Sequence, residues 1–256
     1  MKPDGATPGM IEAEGLVMRY PTGRLALDGA TLTVSPGELV VVLGHNGSGK
    51  STMLRCIAGL LRPTAGMVRV AGSELTRLAG RRLADARMAL GMIFQHAHLV
   101  RRRSVMANVL CGTLGRHRSI TTSLGALPWS EAAFAEQCLD AVGLVSLARQ
   151  RADTLSGGQA QRVAIARALA QRPHAMLADE PVASLDPEAA EEIMRLLRGL
   201  ASNDGMPVVC VLHQPELARR YADRILGLWQ GRTVFLDRAD SITPQQISAL
   251  YEGRLA

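Results

Sequence analysis

The chain has 256 residues, of which 47% are hydrophobic, and it carries a formal net charge of +6. This hydrophobic content excludes a disordered chain, and the length suffices for one sizeable core. The 27 Arg and 2 Lys are scattered along the whole chain, and only 3% of the residues are aromatic, which argues against a nucleic-acid-binding protein.

The elements of the first half alternate between short apolar runs and helical patterns. The fully apolar LVVVL is typical of a strand that is buried on both faces. In chain order, we predict strands at 11–20, 26–34 and 38–44, a helix at 52–61, a strand at 66–72, a polar arginine-rich stretch at 74–88 and a strand at 90–95.

The second half begins with a helical region and then alternates strands with helices. We predict helical structure at 104–150 with a Gly/Ser/Thr-rich interruption at 115–125, a helix at 160–171, strands at 174–180, 207–214, 224–231 and 232–237, and helices at 187–201 and 215–223. This alternation predicts an α/β fold with a parallel sheet and crossover helices. We find no internal repeat and no linker, so one domain with a helical insertion is expected.

The termini and cysteines indicate a cytoplasmic chain. Residues 1–10, MKPDGATPGM, are expected to form a frayed tail and lack the apolar core of a signal peptide. The longest apolar runs are too short to span a bilayer. The four cysteines have no metal-ligand spacing, so we expect them to be small buried hydrophobic residues in a reducing compartment: Cys56, Cys111, Cys138 and Cys210.

A phosphate-binding loop follows the LVVVL strand. Gly44–Ser51 matches the pattern G-x-x-x-x-G-K-[ST], in which backbone N–H groups wrap the phosphates. Lys50 would reach the β- and γ-phosphates, and Ser51 would bind Mg²⁺. The predicted nucleotide-binding residues of this stretch are Gly44, His45, Asn46, Gly47, Ser48, Gly49, Lys50, Ser51 and Thr52.

Polar residues at other strand ends complete a candidate catalytic site. Asp179 ends the run HAMLAD and is placed to orient Mg²⁺, and Glu180 could polarise the attacking water. His213, after VVCVL, could contact the γ-phosphate, although a lone histidine is usually structural. Gln95 could hold the water or the metal, or it is an ordinary loop amide. Tyr20 stacks on the adenine or caps the sheet edge.

The stretch LSGGQ at 155–159 resembles a second helix N-terminus that could bind phosphate. It has no lysine and no metal-binding hydroxyl, so it is a poor independent site. We expect it to serve the nucleotide of a second copy of the chain, in a head-to-tail dimer with ATP between two composite sites.

These motifs, in this order and spacing, resemble the ATP-binding-cassette ATPases over residues 11–240. The resemblance implies a RecA-like P-loop NTPase core, an N-terminal antiparallel β portion, an inserted α-helical subdomain at about 96–160 and a C-terminal helical extension at 241–256. It implies that Tyr20 stacks on adenine and that Gln95 couples the site to membrane subunits. The partner's ATP would be contacted by Ser156, Gly157, Gly158 and Gln159.

Further roles follow from the same resemblance. Asp179 would serve Mg²⁺ together with Ser51 and Gln95, and Glu180 would be the general base. Asp186 would bridge the dimer, and His213 would stabilise the transition state. The implied ligands are ATP and Mg²⁺. The implied partners are a second ATPase subunit, two transmembrane permease subunits and, indirectly, an extracytoplasmic solute-binding protein, with no nucleic acid. The implied location is the cytoplasmic face of the inner membrane.

The segments LADEPVASLDP and LHQ are similar to those in the ATPases of phosphonate importers. Two features depart from the family's pattern: the residues HAH after Gln95, and Ala160 after Gln159 of LSGGQ. They affect the details of the contacts that the resemblance implies with membrane subunits. The alternatives are an importer for another solute, such as polar amino acids, and a non-transport ATPase. Arg101–Arg103 form either a solvated loop or a contact with a permease or anionic lipid.

Overall fold

The computed structural model describes residues 10–117 and 128–252. Most of the tail predicted at 1–10, most of the interruption predicted at 115–125 and the last four residues of the predicted C-terminal extension lie outside these ranges.

The described elements alternate as expected from the sequence. The strands are β1 (Ile11–Arg19), β2 (Leu25–Val34), β3 (Leu39–Leu43), β4 (Ala65–Val70), β5 (Ser73–Glu74), β6 (Leu90–Ile93), β7 (Ala175–Asp179), β8 (Val208–Val211), β9 (Arg224–Trp229) and β10 (Arg232–Arg238). The helices are α1 (Lys50–Ile57), α2 (Gly80–Arg87), α3 (Val105–Leu110), α4 (Trp129–Ala141), α5 (Gly157–Ala170), α6 (Pro187–Ser202), α7 (Pro215–Tyr221) and α8 (Pro244–Glu252).

Two sheets organise the chain. Six of the described strands form a sheet in the order β10-β9-β3-β8-β7-β6, in which every pair except β10 and β9 is parallel. A second, four-stranded sheet has the order β2-β1-β4-β5 and is antiparallel. The α/β class with an N-terminal antiparallel portion is therefore confirmed.

Strand β3 divides the core into two clusters. Its residues alternate, so Leu39, Val41 and Leu43 pack with the helical side, while Val40 and Val42 pack with α1 and the antiparallel sheet. All five are at most 1% exposed. Burial on both faces explains why this strand is apolar without alternation. The carboxyl ends of β3, β7 and β8 therefore share one edge, where the phosphate loop begins.

The helical region predicted at 104–150 contains α3 before the predicted interruption at 115–125 and α4 after it, and both helices pack with α5. Past α4, the predicted helix is replaced by a 3₁₀ turn at Val145–Leu147. Ser104 caps the start of α3 by accepting a hydrogen bond from Ala107 N at 3.1 Å. Helix α3 ends at Leu110, where the 3₁₀ turn at Cys111–Thr113 begins.

A buried ion cluster joins the insertion to the end of α5. Glu131, which is 5% exposed, accepts from Arg116 at 2.6 Å and contacts His117 Nε2 at 2.9 Å. Arg172 lies 4.0 Å from the same carboxylate and over the Phe134 ring, at 4.2 Å from its centroid. Burial raises the pKa of Glu131, but the hydrogen bond from His117 and the charges of the two arginines outweigh it, and the pKa is lowered.

One prediction from the sequence was wrong, and one helix was not predicted. The polar stretch at 74–88 contains helix α2, which has no fully buried residue and packs against the core through the partly buried Leu83 and Ala86. The expectation of four buried cysteines holds for three, but Cys111 is exposed. Burial raises the pKa of Cys56 to about 11 and that of Cys138 to about 12. Across residues 10–117 and 128–252, no helix has the length and apolarity that crossing a membrane requires.

Candidate nucleotide site

In the loop between β3 and α1, two glycines lie in close contact with backbone atoms of other segments. A Cβ on Gly44 would lie 2.3 Å from Leu228 O, and one on Gly49 would lie 2.5 Å from Ala26 O. Gly49 also has a φ of +107°, which side chains rarely adopt. Neither position tolerates a side chain, so both glycines of the predicted motif are required by packing.

Lys50 opens α1 and turns back into this loop. Its Nζ donates to Gly44 O at 2.8 Å and to His45 O at 3.0 Å. Burial lowers the pKa of Lys50, and the carboxylates of Glu180 and Asp179 oppose that shift. The two carboxylates favour the charged form of Lys50, and this ammonium group, which donates to two carbonyl oxygens, can bind an anion such as a phosphate instead.

The loop also has hydrogen-bonding capacity that the protein does not use. Ser48 Oγ and His45 Nε2 are buried, and neither has a hydrogen-bond partner among the residues that the structure describes. Tyr20, which the sequence places near the adenine, is half-buried, and its hydroxyl lies 3.2 Å from Thr52 Oγ1. The unused Ser48 hydroxyl and the close glycines fit a phosphate-bearing ligand.

Asp179 is brought directly to the loop. It is the last residue of β7, is 8% exposed, and accepts a hydrogen bond from Ser51 Oγ at 2.9 Å. Burial raises its pKa, against the Ser51 bond and the positive charges of Arg55 and Lys50. A hydroxyl and a buried carboxylate at this distance are oxygen donors of the kind Mg²⁺ uses. The residues present therefore fit that ion.

Glu180 and His213 meet beside this pair. Glu180 Oε1 lies 2.6 Å from His213 Nε2. The two residues follow β7 and β8, which are neighbouring parallel strands, and Glu180 has a φ of +52°. A residue other than glycine in this conformation is uncommon, and such strain is concentrated at functional sites. The contact between the two side chains was not predicted from the sequence.

Gln95 lies at the same edge of the sheet but faces solvent. Strand β6 ends at Ile93 rather than at Gln95, and the glutamine is exposed. Arg101, Arg102 and Arg103 are also exposed in the turn that follows. This surface adjoins β6, which pairs with β7, the strand that carries Asp179.

The LSGGQ stretch forms a tightly capped helix start. Ser156 Oγ accepts from Gln159 N at 3.2 Å, and Gln159 Oε1 accepts from Ser156 N at 3.0 Å, which is a capping box. Asp186 caps α6 in the same way, accepting from Ala189 N at 2.9 Å. The start of α5 thus presents two glycines, Gly157 and Gly158, beside a capped second helix.

These glycines also have a packing role that the sequence did not reveal. A Cβ on Gly158 would lie 2.9 Å from Ala189 Cβ, and one on Gly157 would lie 3.2 Å from Leu185 Cδ2. The starts of α5 and α6 are therefore in close contact within one chain. The spacing of LSGGQ and SLD in the sequence gives no signal of this contact, because it arises only from tertiary packing.

The comparison with known families settles the class of the chain. The model of the ABC transporter family matches residues 27–183. The chain belongs to the ABC transporter family. The recognition of the family from its motifs, and the assignment as an ATPase of that family, are thereby confirmed.

Relatives match this ABC chain over nearly its full length. The phosphonates import ATP-binding protein PhnC 3 of Nostoc sp. is 46% identical over 242 residues, covering 94% of this chain and 92% of the relative. The PhnC protein of Frankia casuarinae is 48% identical, covering 94% of both chains.

Solved structures of other cassettes have the same fold. A dimeric ATP-binding cassette, MJ0796, bound to ADP and Pi in a post-hydrolysis state, superimposes with a TM-score of 0.79 at 34% identity, covering 91% of this chain and all of that one. CbiO1 of Clostridium perfringens gives a TM-score of 0.81 at 27% identity, covering 96% of both chains. The ADP in the MJ0796 structure supports nucleotide binding by this chain.

Proposed function

We propose that this chain is the ATP-hydrolysing subunit of an importer for phosphonates. The assignment of phosphonates as the transported solute rests on the relatives. Those named phosphonates import ATP-binding protein are 41–48% identical to this chain over almost all of its length. The clustering of Lys50, Asp179, Glu180 and His213 at one sheet edge supports the hydrolysis step.

Binding begins with an exchange of partners at Lys50. Its ammonium releases the carbonyls of Gly44 and His45 and takes the phosphate oxygens of ATP, which are stronger acceptors. Thr52 and the loop amides hold the phosphates, and Tyr20 covers the adenine. Ser51, Asp179 and Gln95 would hold Mg²⁺, which neutralises charge on the phosphate oxygens.

Hydrolysis requires a base that is held in place. Glu180 accepts a proton from the attacking water, and its contact with His213 uses one carboxylate oxygen, so the other is available to the water. His213 fixes the carboxylate by donating from Nε2 and stabilises the developing charge on the γ-phosphate. The carboxylate and imidazole thus act as one unit.

The capped start of α5 acts on a second copy. Ser156, Gly157, Gly158 and Gln159 contact the ATP of the partner subunit, and Asp186 bridges the two subunits. Two composite sites form a closed twofold dimer, and hydrolysis reopens it. The dimeric state of the related cassette MJ0796 supports this arrangement.

The dimer drives membrane partners from the inner face of the membrane. We propose that Gln95 and the exposed Arg101–Arg103 face two permease subunits, with an extracytoplasmic solute-binding protein acting indirectly. The chain is then a peripheral subunit on the cytoplasmic face of the inner membrane. The exposure of this surface beside β6 supports the proposal.

Growth on a phosphonate tests the proposal. A deletion strain is grown with a phosphonate as the sole phosphorus source and with inorganic phosphate as the control. We expect growth to fail only on the phosphonate and to return with the wild-type chain but not with Lys50→Ala. Normal growth on every phosphonate, in a strain without a second importer, contradicts the cargo but not the ATPase.

A further inference from the structure

The turn between β1 and β2 carries an arginine beside the phosphate loop. Arg24 is exposed, and its Nη2 lies 3.6 Å from the position that a Cβ on Gly47 would occupy. Gly47 is the second glycine of the Gly44–Ser51 motif and has a φ of +84°. In this motif the backbone N–H groups wrap phosphates, so the guanidinium lies next to the expected place of the phosphate chain.

Arg24 belongs to the same tight turn as Tyr20, the residue proposed to cover the adenine. Tyr20 N donates to Arg24 O at 2.9 Å, and Gly23 N donates to Tyr20 O at 2.9 Å. The hydroxyl of Tyr20 lies 3.2 Å from Thr52 Oγ1, whereas the guanidinium of Arg24 lies beside Gly47. One turn therefore approaches the nucleotide loop at two points, one at each end of the stretch 47–52.

The charge of Arg24 is not used within the protein. A cavity of about 640 Å³ adjoins the loop on this side, and Leu25, Gly47 and Arg232 are among the residues that line it. Arg232 donates to Asp28 Oδ2 from Nε at 2.8 Å and from Nη2 at 2.6 Å. The side chain of Arg24 makes no hydrogen bond or ion pair with any residue in 10–117 and 128–252. Its charge is thus available to a ligand that enters the open space beside Gly47.

The loop itself offers one positive charge to a phosphate chain. Lys50 is the only lysine or arginine in the stretch 44–52, and the carboxylates of Glu180 and Asp179 lie close enough to it to act on its pKa. The same carboxylates repel phosphate oxygens. A second cation beside the loop reduces this repulsion, and a guanidinium forms strong, directional hydrogen bonds with phosphate oxygens.

We infer that Arg24 is a further nucleotide-binding residue, whose guanidinium donates to phosphate oxygens of bound ATP on the Gly47 side of the loop. The ring of Tyr20 and the guanidinium of Arg24 then bind the base and the phosphates from one turn. This role rests on the ATP binding proposed for the loop and is independent of the transported solute.

The test is the affinity of the full chain for a non-hydrolysable ATP analogue with Mg²⁺, measured by calorimetry. Arg24→Gln keeps a polar side chain and removes the charge. We expect its Kd to rise about tenfold, the effect of one charge-assisted hydrogen bond. Because Arg24 is exposed, this difference should shrink in about 0.5 M salt. Arg24→Lys restores a cation that binds phosphate, so its Kd should stay within about threefold of wild type.

Arg77→Gln is the matched control, because it removes the same charge far from the loop. Arg77 follows β5, at the opposite edge of the antiparallel sheet from β2, and it is exposed and paired with Glu74. We expect its Kd to stay within about twofold of wild type, since charges more than a Debye length apart are screened.

Thermal unfolding and kinetics separate binding from a structural role in the turn. The Tm of Arg24→Gln without nucleotide should equal that of wild type, because the side chain has no partner to lose, and KM for ATP should rise with kcat unchanged. An unchanged Kd in Arg24→Gln, an equal loss in Arg77→Gln or Arg24→Lys, or a loss that follows a lower Tm overturns the inference. Wild-type chain that binds no analogue overturns the proposed ATP binding itself, which is a distinct result.

Discussion

The imidazole of His213 lies 2.6 Å from the carboxylate of Glu180, at the ends of two adjacent parallel strands. The contact joins the proposed base to the residue proposed to stabilise the transition state. Because the strands β7 and β8 are buried and in register, this distance is set by the sheet rather than by mobile loops. We therefore expect the two side chains to act together.

Replacing the proposed base should uncouple binding from hydrolysis. Glu180→Gln keeps the size and the contact with His213 but cannot take a proton, so we expect ATP turnover to fall by about 10²–10⁴-fold. ATP binding and dimerisation should persist, as measured by calorimetry and gel filtration. Glu14→Gln, at an exposed position of β1, is the control and should leave turnover unchanged. Near-normal turnover in Glu180→Gln rules out Glu180 as the base.

Bulk at the start of α5 should block hydrolysis without affecting the monomer's own site. We expect Ser156→Arg to abolish ATP hydrolysis while the monomer binds ATP as before, since Ser156 serves the partner's nucleotide. Ser156→Ala removes the same cap, worth about 1 kcal/mol, without adding bulk, and separates loss of the cap from the obstruction. Weakened ATP binding by the Ser156→Arg monomer contradicts the composite site.

The two signature glycines should differ in their tolerance of a methyl group. Gly158→Ala brings Cβ to 2.9 Å from Ala189 Cβ, which cannot rotate away, whereas Gly157→Ala meets the flexible end of Leu185. We expect Gly158→Ala to cost about 1–2 kcal/mol of unfolding free energy and to lower Tm by about 2–8 °C. Gly157→Ala should cost less than half as much by thermal unfolding. Equal losses would show that the contact between α5 and α6 is not the cause.

The ion cluster of the helical insertion should make stability depend on pH. The pKa of Glu131 is lowered in the folded state, so its contribution is present above the unfolded pKa and is lost as pH falls through the folded pKa. Glu131→Gln leaves the nearby arginines without their counter-charge and should cost on the order of 2 kcal/mol at pH 7. Denaturant unfolding from pH 7 to pH 3 should show this difference shrinking.

Glu136 on the same helix is the matched control for that series. It is exposed, so Glu136→Gln should change the unfolding free energy by less than about 0.5 kcal/mol at every pH. A constant difference between wild type and Glu131→Gln across the pH range would contradict the assignment of the effect to the ionised carboxylate.

The grouping of the candidate site residues could be predicted from the sequence, because Asp179, Glu180 and His213 lie at or just after the ends of buried strands. In a parallel sheet, the carboxyl ends of such strands meet at one edge, next to the loop that leads to Lys50. The predicted helix α6 is close to the observed one, because its apolar face and its start at Asp186-Pro187 are both strong signals.

What the sequence did not predict depends on tertiary contacts. Helix α2 has no fully buried residue and packs against the core through Leu83 and Ala86, a face too narrow to distinguish the helix from a loop in the sequence. The close packing of Gly158 on Ala189 joins segments that are distant in sequence. The charge of Glu131 is buried only because Arg116 and Arg172 surround it.

The central claim is that ATP hydrolysis by this chain drives phosphonate uptake. The most direct measurement is the uptake of a radiolabelled phosphonate by deletion cells that carry the wild-type chain or Lys50→Ala, with a labelled polar amino acid in parallel. We predict that wild type restores phosphonate uptake, that Lys50→Ala does not, and that amino-acid uptake is the same in all strains. Phosphonate uptake that is unaffected by the deletion, with amino-acid uptake lost instead, would contradict the claim.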